Sequence, residues 1–75
     1  MADFELDLRG MSCPLPVMHT RKKMQSMASG QTLRVLSSEP DSIADFRAYV
    51  KGSGDVLVQS GQNPEGDYEF VLKRK

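Results

Sequence analysis

"FELDLRGMSCPLPV", Phe4 to Val17, changes its hydrophobic period partway through. Phe4, Leu6 and Leu8 alternate with Glu5 and Asp7, the pattern of a strand with one buried face. Arg9 and Gly10 end it. From Pro14 onward the spacing becomes helical, and Cys13 stands at the junction. A residue before proline is pushed toward extended backbone. Pro14 suits the first helical position, where a missing N–H costs nothing, and Pro16 still lies in the first turn. This reading places Cys13 at the helix N-cap, beside free backbone N–H groups and at the carboxyl end of the first strand, an edge where open α/β sheets gather their chemistry.

Working outward, Val17, Met18, Met24, Met27 and Ala28 are expected on the core side of this helix. His19, Lys22, Lys23 and Ser26 are expected opposite, with Gly30 as the stop. Thr32 to Leu36 reads as a second strand with Leu33 and Val35 inward. "SSEPDS" (37–42) is turn and helix-start chemistry, and Glu39, Asp41 and Asp45 favour a helix N-terminus. Ile43, Phe46 and Val50 follow at helical spacing until Gly52 and Gly54. Val56 to Val58 is a third strand, "SGQNPEGD" (60–67) a loop, and Tyr68 to Leu72 a fourth strand.

The expected fold is therefore α/β, a two-layer sandwich in the order β-α-β-α-β-β. Its four-stranded mixed sheet carries both helices on one face. Helix-linked strands run parallel through right-handed crossovers, and the last two strands form an antiparallel hairpin. Residues 1–75 make a single domain.

Composition narrows the function. Ten Lys plus Arg balance ten Asp plus Glu, which argues against tight nonspecific nucleic-acid binding. No apolar run reaches membrane-span length, and the acidic start lacks the pattern of a signal peptide. One cysteine excludes an internal disulfide, and no His/Cys cluster is present to hold a metal; no cofactor is expected. A reducing cytoplasmic setting fits.

The lone thiol is the candidate catalytic group. A helix N-terminus contributes about 0.3–1 kcal/mol toward the thiolate, so ionisation at neutral pH is partial. His19 lies six residues further along a helix, ~9 Å by axial rise, too far for a Cys–His dyad. Sulfur carried as a persulfide asks less: a reachable thiol, stabilised as an anion, that exchanges with another thiol.

"LDLRGMSCPLPVMHTRKKM" resembles the TusA family of small sulfur-carrier proteins, in which a strand and an R-G turn lead to a C-P-x-P motif opening a helix. The resemblance covers essentially the whole chain. It implies a carrier that accepts sulfane sulfur as a persulfide on Cys13 from a rhodanese or cysteine desulfurase. The sulfur then passes to an acceptor protein of the DsrE/TusD-like kind, in tRNA 2-thiouridine formation, molybdenum-cofactor metabolism or sulfur oxidation. By motif, Pro14 and Pro16 shape the loop, and Arg9 and Gly10 belong to the signature.

Each residue also has a plainer reading. Arg9 could stabilise the anion, contact a partner, or pair with Asp7 or another acid. Met11 and Leu15 suit either an apolar docking rim or the edge of the core. Arg21, Lys22 and Lys23 suit either a solvated face or the steering of acidic partners. With His19, these six residues are the candidate docking set. The protein is expected to act as a monomer, without direct contact to nucleic acid or membrane. The competing class is a non-catalytic protein- or RNA-binding module in which Cys13 is structural.

Overall fold

A computed structural model describes residues 2–12 and 14–75. The element order is β1 (Phe4–Asp7), α1 (Leu15–Gln25), β2 (Thr32–Ser37), α2 (Ser42–Ser53), β3 (Val56–Gln62) and β4 (Tyr68–Lys73). This is the expected α/β sandwich. The sheet order is β1-β2-β4-β3. β1 and β2 are parallel, and β4 lies antiparallel to both β2 and β3. The two strands joined through α2 therefore run the same way, with β4 inserted between them.

Alternation decides which face is buried. Leu33 and Val35 on β2 and Phe70 and Leu72 on β4 are fully buried, and they meet Met24, Met27 and Phe46 from the helix layer. The Phe46 and Phe70 rings pack with centroids 4.4 Å apart. On the other face of the sheet, Arg34 joins three strands through Glu5 (2.8 Å) and Glu69 (2.9 Å).

Several expectations are corrected. α1 stops at Gln25, where Ser26 caps it with its N–H and hydroxyl both donating to the Lys23 carbonyl. Met27 remains buried in the turn that follows, while Ala28 is exposed. The buried stripe of α1 is Pro16, Thr20 and Met24. Met18 is 56% exposed instead of core, because it lies two residues, roughly 200° of helix, from both Pro16 and Thr20. Lys23 also leaves the polar face, placing its ammonium 4.1 Å from the centre of the Phe4 ring.

A further correction concerns β3, which continues to Gln62, past its expected end at Val58, with a bulge between Leu57 and Gln59. Gln59 to Gln62 lack apolar alternation; the backbone ladder to β4 makes them a strand. The hairpin turn proper begins at Asn63. Its side-chain carbonyl accepts from the backbone N–H groups of Glu65 (3.1 Å) and Asp67 (2.9 Å). Gly52 lies inside α2, and Gly54, at φ 83°, is the residue that ends it. No described helix is long and apolar enough to cross a membrane.

Candidate functional site

Three segments converge where β1, β2 and β3 end: the chain after Leu8, the β2–α2 connection from Ser38 to Asp41, and the hairpin turn from Asn63 to Asp67. Cys13 belongs to the first by sequence and lies outside the described residues. Its flanks are described, and they define how the loop is held.

The parallel ladder runs one residue past β1, with Leu8 N–H donating to the Leu36 carbonyl at 2.8 Å. A turn follows, closed by Met11 N–H on the Leu8 carbonyl at 3.3 Å. Gly10 is its third residue, at φ 88°, the position where a type II turn needs positive φ. A Cβ there would meet nothing within 4 Å, so conformation rather than space calls for glycine. At the apex, Gly10 N–H donates to the Ser38 hydroxyl at 2.8 Å.

Arg9 is held by acids. Its Nε and Nη2 donate to the two carboxylate oxygens of Asp7 at 2.8 and 2.7 Å, and its Nη1 reaches Asp67 at 3.4 Å. Asp7 is held down at about 2, chiefly by the hydrogen bonds from the Arg9 side chain and backbone, and Arg9 is pushed up by the same pairing. Of the three readings open to Arg9, the salt bridge is the one its contacts express. The guanidinium links the end of β1 to the hairpin turn.

Downstream, Leu15 N–H donates to the Ser12 carbonyl at 2.9 Å, and Met18 N–H makes a helical bond to Pro14 at 3.1 Å. The helix N-cap is thus Pro14, one residue later than expected, with Pro16 in the first turn. Two of the N–H groups that a helix start normally offers are replaced by prolines, and that of Leu15 is occupied. Within residues 14–17, at most Val17 retains one for an anion, so the helix end is a weak activator.

The candidate docking residues separate into different places. Leu15, His19 and Lys22 line one shallow groove of about 170 Å³ together with Met18. Leu15 is 42% exposed. Arg21 faces a different cleft, against Ala48, Tyr49, Gly52 and Ser53 of α2. Lys23 covers Phe4, and Met11 packs against the core. Three consecutive basic residues on a helix point in three directions, 100° apart. Sequence reasoning missed Met18, Ser38 and Asp67. A strict helical projection would have moved Met18 next to Leu15; nothing in the sequence marks Ser38 or Asp67.

Comparison with known proteins is consistent along the chain. A profile described as Sulfurtransferase TusA matches residues 4–74. A sulfur carrier protein TusA of Allochromatium vinosum is 41% identical over 76 residues, covering 99% of each chain. A putative sulfur carrier protein of Aquifex aeolicus is 44% identical over 71 residues, which is 95% of this chain and 36% of that protein. Among solved structures, a SirA-like protein of Desulfitobacterium hafniense has the same fold, with a TM-score of 0.84 at 21% identity over 93% of this chain and 95% of that one.

Proposed function

This chain belongs to the TusA family of sulfur carriers, and we propose that Cys13 is the atom site that carries the sulfur, as a persulfide. The observation that supports this most is the full-length likeness to a sulfur carrier in a chain with one cysteine. A carrier that works through a thiol has no other thiol to use.

The reaction is transpersulfidation in two steps. The Cys13 thiolate attacks the outer sulfur of a donor cysteine persulfide. A new S–S bond forms, the donor's own S–S bond breaks, and the donor cysteine leaves as thiolate. An acceptor thiolate then attacks the outer sulfur on Cys13, and the Cys13 thiolate is released. The sulfane sulfur changes hands without net oxidation, so neither step needs an external oxidant or reductant.

The side chains around the loop explain why the chemistry rests on partners. Arg9 is engaged by Asp7 and Asp67, and the helix start is poor in N–H donors. A thiol of ordinary reactivity suits a group that must both accept and release sulfur. Pro14 and Pro16 fix the start of α1, and Gly10 shapes the turn before it. Leu15, Met18, His19 and Lys22 form the surface that meets donor and acceptor in turn. Such a surface buries less than about 1,200 Å², because the carrier must leave each partner.

A rhodanese or cysteine desulfurase is the donor in this reading and a DsrE/TusD-like protein the acceptor, in tRNA 2-thiouridine formation or sulfur oxidation. The carrier works as a monomer in the reducing cytoplasm and touches no nucleic acid itself. Intact-mass measurement after exposure to a persulfide donor tests the site. The expected result is a gain of one sulfur atom, reversed by reductant and absent in Cys13→Ser. Loading that persists in Cys13→Ser, or no loading of the unaltered protein, would return Cys13 to a structural role in a binding module.

A further inference from the structure

The loop leading to Cys13 is tied to the β2–α2 connection by one bond that neither strand nor helix requires. Backbone pairing between β1 and β2 ends with Leu8 N–H on Leu36. Two residues beyond each of these, Gly10 N–H meets the Ser38 hydroxyl at 2.8 Å. The side chain thus continues the connection at the point where the two chains separate. We propose that Ser38 is a positioning residue for sulfur transfer, its hydroxyl fixing the turn that sets where the Cys13 thiol is presented. The inference rests on Cys13 being the persulfide site.

The other serines of "SSEPDS" are engaged elsewhere. Ser37 and Ser42 share a buried hydrogen bond of 2.7 Å, and Ser37 also accepts the Glu39 N–H. They serve the start of α2, whereas the Ser38 hydroxyl faces the other way and accepts from the Gly10 amide. The turn's own closing bond, Met11 to Leu8, is long at 3.3 Å, so ties from outside, the Arg9 ion pairs and the Ser38 hydroxyl, help to hold it. Downstream the loop is fixed by the Ser12–Leu15 bond and the two prolines. Ser38 supplies the corresponding constraint upstream, three residues before the thiol. Because Ser38 is exposed, losing its hydroxyl opens no cavity and leaves the core intact.

The test compares Ser38→Ala and Ser38→Thr with the unaltered protein by three readouts: thermal midpoint, rate of sulfur transfer to an acceptor thiol, and the pH profile of Cys13 alkylation by iodoacetamide. Ser38→Ala is expected to slow transfer by about two- to tenfold, the range of one hydrogen bond, and to displace the alkylation midpoint, with the thermal midpoint held. Ser38→Thr keeps the hydroxyl and restores both. An unchanged profile and rate in Ser38→Ala would overturn the proposal. So would equal loss in both variants, or a loss that merely follows unfolding. If the unaltered protein takes up no sulfur, the persulfide reading fails, while the alkylation profile still decides whether Ser38 positions the thiol.

Discussion

Arg9 and Asp7 face each other across two hydrogen bonds of 2.8 and 2.7 Å, and Asp67 approaches the same guanidinium at 3.4 Å. The end of β1 and the β3–β4 turn are joined through one side chain. Arg9 thereby acts on the thiol loop through its framework, with its charge already committed.

The pair fixes a titration. Asp7 ionises at about 2 in the fold against an ordinary 3.8. A depressed carboxyl pKa stabilises the fold fully above the unfolded value, and that stabilisation is lost as pH falls from about 4 toward 2. NMR titration should find the Asp7 midpoint near 2 and return it toward 3.8 in Arg9→Gln. A midpoint unaffected by Arg9→Gln would remove the pairing as its cause.

Asp55 gives a second acid-sensitive point. Burial pushes its carboxyl up, but hydrogen bonds from Lys75 N–H, Tyr49, Ser53 and Arg74 outweigh this and hold it below the usual value. It closes the end of β4 against the α2–β3 turn. Its contribution is complete at neutral pH and is lost as pH falls through the depressed pKa. Asp55→Ala should cost about 1.5–3 kcal/mol in urea unfolding at pH 7. The deficit should shrink as pH is lowered below 4; a deficit independent of pH contradicts this account.

In the core, Phe46 and Phe70 are both fully buried, with ring centroids 4.4 Å apart. Phe46→Ala should cost about 3–5 kcal/mol. A fold this small has little margin, so its thermal midpoint should fall steeply or the cooperative transition vanish. A shift of only a few degrees would show that the two layers hold together without this contact.

Docking can be separated from stability on α1. Leu15 and Met18 are 42% and 56% exposed, so Met18→Glu should change stability by no more than about 0.5 kcal/mol. Sulfur transfer to an acceptor protein should nevertheless fall about tenfold or more, while loading by small polysulfide stays normal. Lys22→Ala should impair transfer more than Arg21→Ala, because only Lys22 shares the groove with Leu15 and Met18. The reverse order would move the docking face to the cleft between the helices.

Much of this was legible in the chain. Phe4 to Leu8, Leu33 to Val35 and Tyr68 to Leu72 alternate cleanly because one side of each strand meets the helices; the spacing gives both helices, and Gly54 ends α2 as expected, but α1 ends at Gln25, short of Gly30. Met18 is expected inside because hydropathy favours methionine there, while the helical angle set by Pro16 and Met24 buries Thr20 instead. The outer half of β3 leaves no side-chain pattern because it is made by backbone pairing to β4. The insertion of β4 between β2 and β3 is likewise a long-range pairing that local periodicity does not encode. At the site, the turn at Gly10 and the prolines were readable from residue type. The pairing of Arg9 with Asp7 was among the readings open to it, but Asp67 and Ser38 were not legible: Asp67 lies 58 residues from Arg9 and Ser38 lies 28 from Gly10, and only the folded sheet edge brings them together.

The central claim is that sulfur arrives on Cys13 and leaves again. The most direct measurement loads the protein with sulfur, removes the donor, adds an acceptor protein with one reactive thiol, and follows both intact masses over time. The account predicts that one sulfur atom disappears from the carrier as one appears on the acceptor, and that Cys13→Ser does neither. A loaded carrier that keeps its sulfur in the presence of every competent acceptor thiol, or a Cys13→Ser variant that still delivers it, would contradict the account.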